Sequence, residues 1–268
     1  TQDVQKAAAE VGLLYAGDPS SGDNCFIGGN IATNAGGNKA VKYGTTRHQV
    51  YSVEIVTPTG EVTELGGLLK KSTSGYCLEQ LIVGSEGTLG IISKATLKLI
   101  PLPPYKMDFL AVFPDTETAI DTVFKLMKAG IDPTSLEYMD NEAINVCARY
   151  LKVGLPHQED GNYLVITVEA GTEDELDDKA VRIEEICNGN GAIATLVPDS
   201  KTIWAARRAF GDANREDSYI HSPEDIVVPV KHLAHAMREV ARICEKHGAL
   251  GRMVGHAGDG NLHLTIMQ

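Results

Sequence analysis

His256 and His263 bracket the segment HAGDGNLH, the pattern in this chain best suited to holding a metal ion. Suppose residues 257–260 form a four-residue hairpin loop. Then 256 faces 261, 254 faces 263, and all four positions share one face of the hairpin. Diagonal cross-strand neighbours lie roughly 7–8 Å apart, close enough for two imidazoles to converge on one ion. A catalytic zinc has three protein ligands and an open position, and this segment supplies two. Asp259 falls in the turn, where it stabilises the bend. The same residues also fit a polar hairpin turn with two half-exposed histidines.

Arg207 is the second candidate. It lies three or four positions from Ile203, Trp204 and Phe210, so on a helix it shares their apolar stripe. A guanidinium there calls for an anion, and a planar carboxylate fits its fork. The alternative is that Arg207 snorkels past Trp204 to solvent or pairs with a structural Asp. Arg208 has the same alternatives and less apolar company.

Two glycine-rich segments form a third group, GGNIATNAGG at 28–37 and GSEGTLGII at 84–92. Gly84, Gly87 and Gly90 can take positive φ and let a ligand approach the main chain. N–H groups left open in such a loop make a concave anion site suited to a pyrophosphate. The order is not GxGxxG, and no acid follows a strand at Rossmann spacing. A nucleotide is expected, by a route other than the common nicotinamide one. Gly28-Gly29, Gly36-Gly37 and Gly66-Gly67 also fit plain turns in a β-rich domain. Lys70-Lys71 and the carboxylates of 173–178 and 184–185 fit solvated faces.

These residues need a scaffold. A short helix is predicted over Val4–Val11, a hairpin over 50–57 and 61–65 around Pro58-Thr59-Gly60, a helix over 75–83 and a strand over 90–100. Pro101, Pro103 and Pro104 then interrupt regular structure and mark a domain boundary. Beyond it, strands are expected at 107–113, 163–169, 225–230, 252–255 and 261–267. Helices are expected after Asp115, with a stripe of Ala119, Ile120, Val123, Phe124 and Met127, after Thr172 with Glu175 as capping box, over 199–214 and over 231–247. That alternation suggests an α+β sheet layered on one face by helices.

The chain of 268 residues is ample for one large or two ordinary domains. A net charge of −12 argues against nucleic acid or anionic membrane as partner. No apolar run approaches the roughly 18 residues of a membrane span. Cys25, Cys77, Cys147, Cys187 and Cys244 are scattered and lack CxxC spacing, which suits reduced thiols in a cytoplasm. The absence of a Met at Thr1 and the abrupt stop at Gln268 read as a piece of a longer protein.

GGNIATNAGGNKAVKYGTT, EIVTPTGEVTELGG, KKSTSGYCLEQLIVGSEGTLGII, LKLIPLP and HAGDGNLHL occur in the order found in one family. The chain resembles the FAD flavoproteins of the vanillyl-alcohol-oxidase type that oxidise D-2-hydroxy acids: the glycolate oxidase catalytic subunit, D-lactate dehydrogenase and D-2-hydroxyglutarate dehydrogenase group. The resemblance implies a partial FAD-binding domain over 1–101 and an α+β substrate domain over 102–268, with an antiparallel sheet covered by helices. It implies FAD contacts, largely through backbone, from Gly28, Gly29, Asn30, Ala32, Thr33, Asn34, Gly36, Gly37, Tyr43, Gly44, Gly84, Ser85, Glu86, Gly87, Gly90, Ile91 and Ile92. It implies His256 and His263 as ligands of a divalent metal, most often zinc, and Arg207 as partner of the substrate carboxylate.

The family's first phosphate-binding loop would lie before Thr1, and its third metal ligand, a Glu, with an adjacent His base, after Gln268. The isolated chain is therefore expected to be inactive. The 2-hydroxyglutarate enzymes carry a Lys where Pro223 stands and an Asn where Thr265 stands, which points here to glycolate or D-lactate. Electrons would pass on to an electron-transfer flavoprotein, an iron–sulfur subunit or quinone, and the protein would be a homo-oligomer. The alternatives are a non-catalytic subunit of a multi-subunit oxidase and a metal-dependent hydrolase built on the histidine pair.

Overall fold

The computed structural model describes residues 1–268 and divides them into two compact units, Thr1–Pro103 and Pro104–Gln268. The first unit runs α1 (Gln2–Glu10), β1 (Leu13–Leu14), α2 (Ile27–Thr33), α3 (Ala40–Tyr43), β2 (Val50–Val56), β3 (Val62–Gly66), α4 (Leu78–Ile82), β4 (Ile91–Leu97) and β5 (Ile100–Pro101). β2 is the middle strand of an antiparallel three-stranded sheet, β3-β2-β4, and β1 pairs with β5. The Pro58-Thr59-Gly60 turn places Val56 opposite Val62. Val50, Val53 and Ile55 of β2 pack with Ile31 of α2 and with Ile82 and Val83. α4 is shorter than the helix predicted over 75–83, because Gly75 has a positive φ of 77° and Cys77 provides no side-chain cap.

The second unit runs β6 (Tyr105–Phe113), α5 (Thr116–Lys128), β7 (Ser135–Met139), α6 (Asn141–Leu151), β8 (Asn162–Ala170), α7 (Glu173–Gly189), β9 (Ala194–Leu196), α8 (Ser200–Asp217), β10 (His221–Val227), α9 (Leu233–Lys246), β11 (Leu250–His256) and β12 (Asn261–Met267). Seven antiparallel strands form one sheet in the order β10-β12-β11-β7-β8-β6-β9. Asp115, Asp140, Thr172 and Asp199 cap α5, α6, α7 and α8, each accepting an N–H from the first turn. Such a cap stabilises a helix by about 1 kcal/mol. In α7, Glu175 takes the N–H of Gly171 rather than that of the capping Thr172, so the capping box is offset by one residue.

Helices cover both faces of this sheet, where the sequence pattern predicts cover on one. α5, α7 and α9 bring Ile120, Val123, Leu126, Ile183 and Met237 to Phe109, Leu136, Leu164 and Ile166. α6 and α8 bring Ile144, Cys147, Ile203 and Phe210 to Leu110, Met139, Tyr163, Val165 and Val254. The reason lies in β8, which is apolar at successive positions from Leu164 to Ile166 and buries nearly every residue, so both pleat directions need a partner. On α5, Phe124 and Met127 point outward, and Leu126 completes the buried stripe with Ala119, Ile120 and Val123. No helix is long and apolar enough to cross a membrane.

Candidate functional site

The β11–β12 hairpin has the register expected from its sequence: Val254 opposite His263 and His256 opposite Asn261. The N–H groups of Asp259 and Gly260 both return to the His256 carbonyl, and Asp259 Oδ1 accepts the Asn261 N–H, which closes the turn. The two imidazoles meet edge to face, with centroids 5.1 Å apart and Nε2 atoms 3.4 Å apart. Asp225, opposite His263 on β10, lies with Oδ1 3.4 Å from His263 Nδ1.

Glu137 joins this pair to Arg207. It sits on β7 opposite His256 and is fully buried. Its Oε1 is 2.6 Å from His256 Nδ1, and its Oε2 accepts from Arg207 Nε at 2.9 Å. The guanidinium of α8 thus finds an anion inside the chain, a Glu rather than an Asp. Arg207 is only 9% exposed, yet its second terminal nitrogen, Nη2, is buried with no partner. Burial acts to raise the Glu137 carboxyl, but the charges of Arg207 and His256 outweigh it and hold the group below its ordinary value. Burial, then the neighbouring charges of Arg207 and His256, push His263 down to about 4. His263 is therefore a neutral imidazole with a lone pair to offer at pH 7.

The donor set suits part of a metal site. Two nitrogens each 2.0–2.1 Å from a tetrahedral ion would stand about 3.4 Å apart, the separation of the two Nε2 atoms. Glu137 on the far nitrogen of His256 is the carboxylate–histidine arrangement that orients a ligating imidazole. No group of three or more His, Cys, Asp or Glu side chains is placed to hold an ion.

Sequence reasoning missed Glu137. It is embedded in SLEYM, five residues that are all buried, and no strand was expected there. The one available signal is an acid inside an apolar run, directly before an Asp that caps the next helix.

In the first unit the two glycine segments come together. The N–H groups of Gly84 and Glu86 donate to the carbonyls of Ile31 and Ala32 on α2. Arg47 holds the same junction, taking the carbonyls of Gln80 and Val83 while its own N–H goes to Asn34 Oδ1. This changes the expected anion loop. The N–H groups of Gly84, Ser85, Glu86 and Thr88 all bond to backbone carbonyls, so they stitch the fold rather than stand open for a pyrophosphate. Asn30 is likewise occupied, donating its side-chain amide to Thr1. Gly37 is dictated by a close approach: with φ at 153°, a Cβ there would lie 2.0 Å from the Asp18 carbonyl oxygen. Gly44 would meet the His48 ring, and Gly90 backs onto the Val56 carbonyl. The open positions are Gly28, Gly29, Gly36 and Gly87, where an added Cβ meets nothing within 4 Å. Ser85 Oγ, two residues before Gly87, is buried with no partner. Open backbone and an orphaned hydroxyl fit a ligand laid along this loop.

Residues 102–268 match the family described as "FAD linked oxidases, C-terminal domain", and residues 1–66 match "FAD binding domain". The chain belongs to the FAD-linked oxidases, with the fold of the vanillyl-alcohol-oxidase type. It is 37% identical to a D-lactate dehydrogenase of Anaerostipes hadrus and 35% identical to the glycolate oxidase subunit GlcD of Bacillus subtilis, over 98% and 99% of its own length. It spans 57% of each of these relatives. Among solved structures, an alkyldihydroxyacetonephosphate synthase superposes with a TM-score of 0.77 at 21% identity, covering 99% of this chain and 53% of that one.

Proposed function

We propose that the protein oxidises a small D-2-hydroxy acid, glycolate or D-lactate, to the 2-oxo acid with FAD as electron acceptor. The observation that carries this reading is Arg207, buried beside two imidazoles with one guanidinium nitrogen unpartnered. The similarity to a D-lactate dehydrogenase and a glycolate oxidase subunit supports it. Residues 1–101 serve as part of the FAD-binding domain and 102–268 as the substrate domain.

Arg207 Nη2 takes the substrate carboxylate, which a planar fork binds in a fixed orientation. His256 and His263 would hold a divalent ion, zinc by their chemistry, and such an ion would supply Lewis acidity that lowers the pKa of the substrate hydroxyl. The low pKa of His263 keeps its lone pair available for that role. Oxidation would remove a hydride from the α-carbon, for which FAD would supply the acceptor, and a proton from the hydroxyl, which would pass to a base and on to water. Gly28, Gly29, Gly36, Gly87 and Ser85 line the cofactor. The electrons leave to an electron-transfer flavoprotein, an iron–sulfur subunit or quinone.

Two positions on β10 and β12 support a short substrate. Pro223 and Thr265 are direct cross-strand partners, two positions from Asp225 and His263. Neither carries a cation for a second carboxylate, which favours a monocarboxylate.

Anaerobic visible absorbance of the protein from its full reading frame, before and after D-lactate or glycolate, tests the reading. Flavin bands that bleach with one of them support it. Flavin that stays oxidised with both removes these substrates, and a protein that takes up no FAD sinks the oxidase reading in favour of a hydrolase or a structural subunit.

A further inference from the structure

We propose that Glu137 is the positioning residue of this site: a single buried carboxylate that sets both Arg207 and His256, and thereby the distance between a ligand's carboxylate and its adjacent oxygen. The inference rests on the functional reading above and adds to it the residue that holds the two recognition groups in register.

Each oxygen of Glu137 has its own task. Oε1 lies 2.6 Å from His256 Nδ1 and Oε2 lies 2.9 Å from Arg207 Nε. The three residues come from β7, β11 and α8, and the carboxylate bonds to both recognition groups. On His256, a proton fixed at Nδ1 leaves the lone pair at Nε2. That nitrogen faces His263 Nε2 at 3.4 Å. On Arg207, the Nε edge is consumed, while Nη2 is buried and unpartnered. A charged donor left unbonded in the interior is costly, and Nη2 is left so. A carboxylate brought by a ligand would answer its geometry and charge.

The ligand class follows. It carries a carboxylate for Arg207 and, on the adjoining carbon, an oxygen for the imidazole side. A glutamine at 137 cannot do the same work. Its one carbonyl oxygen faces two N–H donors, so either His256 moves its proton to Nε2 or Arg207 loses its anchor.

The test uses the full-length, FAD-loaded protein with oxalate, a carboxylate that has no α-hydrogen to surrender. Calorimetry should show oxalate binding weakened about 10–100-fold in Glu137→Gln, with most of it restored in Glu137→Asp. Histidine-selective 15N NMR at pH 8 should show His256 as the Nδ1–H tautomer in the wild-type protein, shifted toward Nε2–H in Glu137→Gln. The wild-type tautomer needs no variant to fold, and a proton found on Nε2 overturns the inference. So does Glu137→Gln binding oxalate as tightly as the wild type. Wild-type protein that ignores both oxalate and the 2-hydroxy acids removes the functional reading, and the inference with it. Binding by the wild type together with unchanged binding by Glu137→Gln removes the inference alone.

Discussion

The two units build their sites from different material. In Thr1–Pro103 the candidate site is backbone: carbonyls of α2 receive the N–H groups of Gly84 and Glu86, and four glycines leave open space where side chains would stand. Its core is small, and Phe26, Leu68, Tyr76 and Ile91 are largely exposed. In Pro104–Gln268 the candidate site is made of charged side chains, seated on a seven-stranded sheet with an apolar core on each face. A backbone site tolerates a thin core because hydrogen bonds between loops fix it. A buried carboxylate shared by Arg207 and His256 needs a rigid, dry surround, since its charge is affordable only where its partners cannot drift.

The largest effect should come from breaking the side-chain site. Glu137→Ala leaves the Arg207 charge buried without its carboxylate and should cost about 3–5 kcal/mol. Trp204, the single tryptophan, lies on α8 and reports this unit in a urea titration. An unchanged midpoint would mean that the pair contributes nothing and the sheet alone holds α8.

Next is Gly37→Ala in the backbone site. Its φ of 153° and the Asp18 carbonyl at 2.0 Å make this substitution strained as well as crowded. A cost of about 1–3 kcal/mol is expected from the strain, visible as faster amide exchange across 17–44 with the Trp204 transition unmoved. A shifted Trp204 transition would show that the two units do not melt separately.

The pH dependence separates the units further. His263 has a folded value of about 4 against an ordinary 6.5. The unfolded chain therefore binds a proton first as pH falls. The contribution of the neutral folded imidazole is present above about 6.5 and is lost as pH falls from there through about 4. Melting of wild type and His263→Asn, compared between pH 4 and 7, should differ in slope over that window. Parallel curves would show that His263 is not held neutral by its surroundings.

The smallest stability effect should come from Gly28→Ala, since an added Cβ meets nothing within 4 Å. The change should stay within about 0.5 kcal/mol, while FAD affinity falls about tenfold. Intact FAD affinity would remove Gly28 from the cofactor site.

The β11–β12 hairpin was legible because everything it needs is local: a Gly-Asp-Gly turn, alternating residues, and two histidines whose spacing sets their diagonal. α5 was legible from its cap, although Phe124 and Met127 were placed inside when they lie outside, a rotation of the stripe that only packing fixes. Glu137 was not legible. Its partners stand 70 and 119 residues away, and its strand lacks the alternation that marks a half-buried one. The glycines were legible as a group but not one by one. Sequence could not tell Gly37, crowded by its own chain, from Gly28, which faces open space.

By itself, then, the chain's sequence determined its family, the α+β class, the hairpin register and the histidine pair, because turns, caps and two-residue periodicity act between near neighbours. Tertiary structure alone decided which N–H groups of the 84–88 loop are already bonded, that helices cover both sheet faces, and that one carboxylate joins Arg207 to His256. Those outcomes depend on which distant segments share a dry interior, where every polar group must find a partner.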